Sequence, residues 1–234
     1  MAWAPLERSA AQSAALDRCR ALSAPGVAFL DLDGCLIDNR PRQVGILRRY
    51  AARHGTDELY KVRVEHFQSW TLSVTLRSAG VQAFDGYYDD LMRFWTDAFF
   101  SSEDLYLDEA MPGAVRFVRD LQGRGLKVVY LTARDHTVHD GTWESLGRFG
   151  FPLDGALLHT LDDLSREFHS YKRQAALSLA HLGPPALFMD NEPSIVNTYR
   201  ETFPDALTIF VDTDRSPRPD QPHPELPVIR GFLG

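Results

Sequence analysis

The sequence contains little cysteine and no long apolar run, and each shortage excludes a class of protein. Two cysteines in 234 residues, Cys19 and Cys35, exclude a disulfide framework or a zinc knuckle and predict a reducing, cytoplasmic location. No stretch approaches about 18 consecutive apolar residues, so we expect no transmembrane helix. The N-terminal segment mixes Glu7, Arg8 and Asp17 with alanines and lacks the apolar core of a secretory signal. No membrane partner is expected.

Positive charge is also scarce. The net charge is −7, with 32 acidic residues against 25 basic ones, which predicts no nucleic-acid partner, because such a protein needs a basic surface. Lysine occurs only at Lys61, Lys127 and Lys172, so a lysine that lies beside candidate catalytic residues is informative. A hydrophobic content of 44% is typical of a globular domain, and the length suits one domain with an inserted module.

Short apolar runs alternate with helical patterns along most of the chain. The run at 26–31 is continuous, which is typical of a buried parallel strand. Further strands are predicted at 126–131, 155–158, 186–189 and 207–211. Helices are predicted at 6–22 and around 114–121, 143–149, 175–182 and 193–199. This alternation predicts an α/β fold with a doubly wound, mainly parallel Rossmann-like sheet.

Residues 41–108 break the alternation, because their apolar residues have helical spacing and no strand pattern occurs. The segment holds 12 of the 26 aromatic residues, which either form its own core or line a substrate pocket beneath it. We therefore predict a core domain of residues 1–40 and 109–234 and an inserted helical domain of residues 41–108. The proline-rich tail from residue 212 is expected to be an extended segment on the surface.

Polar residues stand at the ends of three of the apolar runs. Asp31 and Asp33 end the first run, Thr132 ends the second, and Asp190 ends a later one. Parallel strands present such residues at one edge of the sheet. Two acids that face the same way repel each other unless a cation lies between them. Together with Lys172, these residues predict a site for Mg²⁺ and a phosphoryl group.

The same segments resemble, in order, the four motifs of the haloacid dehalogenase (HAD) superfamily of phosphohydrolases. They are Asp31-Leu32-Asp33-Gly34-Cys35, Leu131-Thr132-Ala133-Arg134, Lys172 and Asp190-Asn191. The resemblance covers residues 26–211, and the helical insertion is similar to the family's cap between the first and second motifs. It implies an HAD-like fold and a Mg²⁺-dependent phosphoric monoester hydrolase whose substrate is a small-molecule phosphate ester.

The resemblance also implies residue roles. Asp31 would attack phosphorus and form an aspartyl-phosphate, while Asp33 would protonate the leaving oxygen and then activate water. The substrate and its phosphoryl group would contact Thr132, Ala133, Arg134 and Lys172, although Arg134 is alternatively the partner of a nearby acid. Mg²⁺ would be held by Asp31, the main chain of Asp33, Asp190 and Asn191.

The fourth motif departs from the commonest form, in which a second acid follows Asp190. Asn191 occupies that place, with Glu192 next to it. We favour Asn191 as the ligand, directly or through a water, and Glu192 as the alternative source of charge. An acid at Asp33 favours phosphate esters over haloacids, since a halide leaves without a proton. Two alternatives stay open, namely a phosphotransferase or mutase of the same family and a non-catalytic binding protein that keeps the fold.

Overall fold

Residues 10–161, 168–214 and 216–233 are described by the computed structural model of the chain. Within them lie eight strands: β1 (Val27–Leu30), β2 (Ile37–Asp38), β3 (Glu109–Ala110), β4 (Lys127–Asp135), β5 (Leu157–Leu161), β6 (Pro185–Asp190), β7 (Leu207–Val211) and β8 (Val228–Ile229). Six of them form a parallel sheet in the order β5-β4-β1-β6-β7-β8. Strands β2 and β3 form a separate antiparallel pair. The continuous apolar run of β1 thus becomes a central strand, buried along its whole length.

The described residues also form eight α-helices. They are α1 (Ala10–Arg20), α2 (Arg40–His54), α3 (Leu72–Ser78), α4 (Tyr88–Phe99), α5 (Ala114–Gly123), α6 (His139–Phe149), α7 (Phe168–Ser178) and α8 (Pro193–Thr202). The predicted helix at 6–22 corresponds to α1, and residues 6–9 lie outside the described part of the chain. Every other predicted strand and helix of the sheet region overlaps an observed element.

Helices cover both faces of the sheet. In β1, Ala28 and Leu30 pack in one apolar cluster, while Val27 and Phe29 pack in another, as alternation along a strand requires. The first cluster includes residues of α1, α5 and α6, and the second includes residues of α7 and α8. The sheet is therefore doubly wound, which confirms the predicted fold class.

The regular structure of the segment between β2 and β3 is entirely helical. It contains α2, α3 and α4 with four short 3-10 turns at Asp57–Lys61, Val64–His66, Phe84–Gly86 and Leu105–Leu107. All of residues 40–107 are described, and none of them belongs to a strand. The segment has its own apolar cluster, which includes Leu47, Tyr50, Phe67 and Leu91, apart from the two clusters of the sheet. The chain enters and leaves this segment through the β2–β3 pair.

The tail corrects one expectation. Residues 217–221 are exposed, as expected, but the last part of the tail adds β8 to the sheet beside β7. Leu226, Ile229 and Phe232 are buried, and the Phe232 ring lies 5.0 Å from that of Phe117. For this last part the expectation was wrong, because these three apolar side chains pack in the clusters beside the sheet. Among the described helices, none combines the length and the apolar character that crossing a bilayer requires.

Candidate active site

The turn after β1 presents two acids at the carboxyl edge of the sheet. The backbone N–H of Asp31 donates to the Met189 carbonyl at 3.0 Å, which fixes the end of β1 against β6. Gly34 then turns the chain with a φ of +73°, and a Cβ atom there would lie 2.2 Å from Asn191 Nδ2. Only glycine satisfies both the backbone conformation and the close approach, so Gly34 lets the Asp31–Asp33 turn lie against the end of β6.

Lys172, on α7, joins the ends of two strands. Its Nζ donates to Asp31 Oδ1 at 2.6 Å and to Asp190 Oδ2 at 2.7 Å. All three residues are buried. The second oxygen of Asp190 accepts from the Glu192 backbone N–H at 2.9 Å, which orients that carboxylate. Three predicted site residues that are far apart in sequence therefore share one buried set of charge-assisted hydrogen bonds.

The charges of this group do not balance, because two carboxylates share one ammonium. Burial, opposed by Lys172 and reinforced by Asp190, raises the pKa of Asp31 to about 7. Burial would lower the pKa of Lys172, but the two carboxylates raise it well above its ordinary value, so the lysine stays charged. The group thus carries an excess of negative charge that a bound cation would relieve.

Asp33 belongs to a different ion-pair network. Arg134 holds it through two hydrogen bonds, from Nε to Oδ2 at 2.8 Å and from Nη2 to Oδ1 at 2.7 Å. Asn39 donates to the same Oδ1 at 3.0 Å. Burial would raise the pKa of Asp33, but the Arg134 guanidinium holds it well below its ordinary value. The Asp33 side chain retains 24% of its exposure and faces the cavity described below in ionised form.

Asp108 connects this network to the helical segment. It lies just before β3, its side chain is fully buried, and its Oδ2 accepts from Arg134 Nη2 at 2.7 Å. Arg42, in α2, forms an ion pair with Asp108 at 2.9 Å and approaches Asp33 at 3.5 Å. Arg42 also donates to the Phe99 carbonyl at 3.0 Å. Two arginines and two acids therefore link the turn after β1, strand β4 and both ends of the helical segment.

Arg134 thus pairs with acids, which was the alternative interpretation of its position in the sequence. Its neighbour Thr132 is buried, and Thr132 Oγ1 accepts from the Arg134 backbone N–H at 3.2 Å. Both residues and Ala133 lie near the carboxyl end of β4 and line the same cavity as Asp31.

At the fourth motif, the residues after Asp190 contact the tail. Asn191 Nδ2 donates to the Asp214 main-chain oxygen at 2.6 Å, which leaves the amide oxygen of Asn191 as its remaining ligand atom. Both carboxylate oxygens of Glu192 accept from Ser216, at 3.1 Å from the backbone N–H and at 2.7 Å from Oγ. Glu192 therefore anchors the tail, which favours Asn191 over Glu192 as the group that faces a ligand.

A single cavity of about 320 Å³ brings the predicted residues together. Its floor includes Asp31, Asp33, Thr132, Ala133, Arg134, Lys172, Asp190 and Asn191. Four aromatic side chains of the helical segment also line it, namely Trp70, Trp95, Phe99 and Phe100. For these four residues the structure supports the interpretation that aromatics line a pocket beneath the inserted segment.

Sequence reasoning missed four residues around the cavity, which are Asn39, Arg42, Asp108 and Asp214. Asp214 is buried at the cavity wall, and burial, with Asp38 and Asp33 adding to it and Arg40 opposing it, raises its pKa to about 7. Asp108 lies at the end of the helical segment, where an acid normally indicates a solvated turn. No signal in the sequence marks Asp214, because only the path of the tail brings it to the site.

The donor set fits a hard divalent cation. Carboxylates from Asp31 and Asp190, the Asp33 main-chain carbonyl and the Asn191 amide oxygen are all oxygen ligands of the kind that Mg²⁺ prefers. The described residues include no group of three or more His, Cys, Asp or Glu side chains that could by itself hold a metal. A cation here would therefore complete its coordination with waters and substrate phosphate, as is usual for Mg²⁺.

One family model matches part of the chain. The model of one family, HAD superfamily, subfamily IIIB (Acid phosphatase), matches residues 92–183, which include Thr132 and Lys172. No curated protein matches the sequence significantly.

Solved structures with a similar fold cover most of the chain. A predicted phosphoglycolate phosphatase from Haemophilus somnus has a TM-score of 0.58 and 14% identity, covering 88% of this chain and 94% of its own. Protein Tyrosine Kinase A from Mycobacterium tuberculosis has a TM-score of 0.57 and 18% identity over the same shares. A HAD-superfamily hydrolase from Ehrlichia chaffeensis has a TM-score of 0.51 and 11% identity, covering 91% of this chain and 94% of its own.

These structures share the fold, and the family match covers the second and third motifs. The first and fourth motifs lie at the same edge of the sheet, beside Lys172. The chain therefore has the fold of these structures, and its residues 92–183 are similar to the acid phosphatases of HAD superfamily subfamily IIIB.

Proposed function

We propose that this protein is a Mg²⁺-dependent phosphatase that hydrolyses a small phosphate monoester through an aspartyl-phosphate on Asp31. The observation that carries the proposal is the Lys172 ammonium, which lies within 2.7 Å of both Asp31 and Asp190 beneath a cavity of small-molecule size. Phosphate monoesters are among the slowest compounds to hydrolyse in water, so dividing the reaction into two steps is advantageous.

Lys172 and Thr132 would bind the phosphoryl group. A compact ammonium that two carboxylates keep protonated suits the charge of the transferring group. The buried hydroxyl of Thr132, at the end of β4, would donate to a phosphoryl oxygen. Bound Mg²⁺, held by Asp31, Asp190, Asn191 and the Asp33 carbonyl, would supply Lewis-acid stabilisation of that charge.

Asp33 would act as the acid and base. Its ionised carboxylate is ready to accept a proton from the water that attacks the aspartyl-phosphate. To protonate a leaving oxygen in the first step, it must carry a proton, which requires weaker contact with Arg134. Because Arg134 lines the cavity, a bound phosphoryl group would compete with Asp33 for the guanidinium and so weaken that contact.

Residues 41–108 would form a cap domain over a core domain of residues 1–40 and 109–234. The helical segment has its own apolar cluster and joins the core through the short β2–β3 pair, the arrangement that a hinged cap needs. A cap over the cavity favours small substrates over proteins or nucleic acids. Together with the two cysteines, both reduced and buried, this suits a cytoplasmic metabolite phosphatase.

Release of inorganic phosphate from a panel of phosphorylated metabolites tests the proposal. We expect release that needs Mg²⁺, stops with EDTA and is absent in Asp31→Asn, whose circular dichroism should match the wild type. Full activity of Asp31→Asn would contradict the assigned nucleophile. Activity that survives complete removal of divalent metal would contradict the role of Mg²⁺.

Transfer to a second hydroxyl is the competing reaction. The similar structures include a tyrosine kinase as well as phosphatases, and at these identities the likeness concerns the fold alone. A labelled phosphoryl group distinguishes the reactions, because hydrolysis releases the label as inorganic phosphate and transfer places it on an acceptor. If beryllium fluoride, which mimics the aspartyl-phosphate, fails to bind, the non-catalytic alternative gains support.

A further inference from the structure

We propose that the alcohol portion of the substrate carries an uncharged aromatic ring, which stacks against the aromatic wall of the cavity. This aromatic wall consists of Trp70, Trp95, Phe99 and Phe100. The inference rests on the proposed phosphatase function, because the phosphate must lie beside Asp31 and Lys172 for the rest of the molecule to reach the wall.

Three residues of the aromatic wall do not pack in the core of the helical segment. Trp70, Phe99 and Phe100 lie outside its apolar cluster, whereas Trp95 packs against that cluster. Trp70 is 45% exposed and Phe100 is 38% exposed. Large aromatic side chains held half in water beside a catalytic cavity have apolar area that a ring-bearing ligand would cover.

Part of the aromatic wall is fixed in place before any ligand binds. The rings of Trp95 and Phe99 are stacked, with centroids 4.6 Å apart and planes 14° apart. The Arg42 guanidinium lies 4.2 Å from the centroid of Phe99 and is itself held by Asp108. A preorganised aromatic surface loses little side-chain entropy when a ring stacks on it, which favours binding.

The charges that line the cavity disfavour a substrate that carries a second anionic group besides its phosphate. Each described cation of the lining already has acidic partners, since Lys172 contacts Asp31 and Asp190, while Arg134 and Arg42 contact Asp33 and Asp108. Acids outnumber bases in the described lining by five to three, the acids being Asp31, Asp33, Asp190, Glu192 and Asp214. Because bound Mg²⁺ would be taken up by its carboxylate ligands and the phosphate, a carboxylate on the substrate would meet net repulsion.

Four phosphate esters of primary alcohols test the inference. Benzyl phosphate carries the aromatic ring, cyclohexylmethyl phosphate an aliphatic ring of similar size, phosphoglycolate a carboxylate, and ethyl phosphate neither group. With Mg²⁺ present, binding to Asp31→Asn is followed by titration calorimetry, and turnover by the wild type is followed by phosphate release. We expect benzyl phosphate to bind Asp31→Asn roughly tenfold more tightly than the other three esters, and the wild-type kcat/KM to follow that order.

A matched pair of variants locates the preference. Trp70→Ala removes an exposed ring of the aromatic wall, whereas Tyr60→Ala removes a ring of nearly equal exposure, 44%, from the same segment away from the cavity. In Trp70→Ala we expect the ratio of kcat/KM for benzyl phosphate to that for ethyl phosphate to fall about fivefold, mainly through KM. Tyr60→Ala should keep the wild-type ratio.

The outcomes separate the two proposals. If Asp31→Asn binds the four esters equally, or prefers phosphoglycolate, the aromatic inference is overturned even when the wild type is an active phosphatase. An unchanged ratio in Trp70→Ala overturns the assignment to the aromatic wall. If the wild type releases no phosphate from any ester, the proposed hydrolysis fails, while the binding order in Asp31→Asn still decides whether the cavity selects aromatic rings.

Discussion

The carboxyl edge of the sheet and the helical segment line the same cavity, the first mainly with charged groups and the second mainly with aromatic ones. At the sheet edge, charged groups such as Lys172 and Asp190 are buried and held by hydrogen bonds shorter than 3 Å. In the helical segment, Trp70 and Phe100 are partly in water and make no comparable polar contacts among the described residues. Under the proposed function the difference indicates a division of labour, in which the hydrogen-bonded edge would perform the chemistry and the aromatic wall would select the substrate.

The charge network around Arg42 and Asp108 connects the two regions, so they do not act independently. Asp108 is buried at the end of the helical segment, yet it accepts from Arg134, which in turn holds Asp33. A change at the end of the helical segment, where Asp108 lies, therefore reaches a candidate catalytic acid through two direct contacts. Substitutions in each region and at their junction test how separate the two regions are.

The largest effect is expected at the sheet edge from Lys172→Met. The substitution leaves Asp31 and Asp190 buried together without a cation, so we expect a loss of about 3 kcal/mol in the free energy of unfolding and a fall in kcat of about 10³-fold. Urea denaturation and phosphate release measure the two quantities. Lys127→Met, at the exposed start of β4, serves as the control and should change neither. A fully active Lys172→Met protein would show that the ammonium does not serve the reaction.

A somewhat smaller loss is expected where the two regions meet, from Arg134→Lys. The lysine keeps a positive charge but cannot hold Asp33 through two parallel hydrogen bonds while also reaching Asp108. We expect the unfolding free energy to fall by about 2 kcal/mol and kcat to fall about 10²-fold. Arg93→Lys, whose side chain is 77% exposed, is the matched control. Unaltered kcat in Arg134→Lys would argue against the positioning of Asp33 by this guanidinium.

The tail contributes a pH-dependent effect through Asp214. Burial raises its folded-state pKa from the ordinary 3.8 to about 7. Between these values the folded protein binds more protons than the unfolded chain, so the stabilising contribution is complete below about pH 4 and is lost as the pH rises through 7. Asp214→Asn removes this titration. Relative to the wild type, the variant should therefore become more stable between pH 5 and pH 8, as measured by urea midpoints without divalent metal. A stability difference that does not change with pH would contradict the raised pKa.

The smallest effect on stability is expected from Trp70→Ala in the aromatic wall. Because the side chain is 45% exposed and lies outside the core of the helical segment, the unfolding free energy should change by no more than about 0.5 kcal/mol. Phe67→Ala, three residues away and only 2% exposed, should cost about 3 kcal/mol. Equal losses in the two variants, measured by thermal or urea unfolding, would show that Trp70 is a packing residue.

The elements around the sheet could be predicted because local patterns mark them. The apolar runs that became β1 and β6 are continuous, which indicates strands buried on both faces. The acids at the ends of these runs indicate a site, because an acid is costly to bury without a partner or a ligand. Strand β8 could not be predicted, because Val228 and Ile229 lie among prolines and gain their strand conformation only by pairing with β7. The pairing of Arg134 with Asp33 stayed open in the sequence, because 101 residues separate the two partners.

By itself, the sequence determined the doubly wound α/β fold, the helical nature of residues 41–108 and the residues that meet at the carboxyl edge of the sheet. These features depend on the periodicity of apolar residues and on the rule that parallel strands end at one edge, both of which are local or topological. Only the tertiary structure decided that Glu192 binds the tail at Ser216 and that Asp214 and Asp108 are buried beside the site. It also decided which of the many aromatic residues face the cavity. Those outcomes depend on the packing of distant segments, because a side chain's partners are set by what the fold brings to within a few ångströms of it.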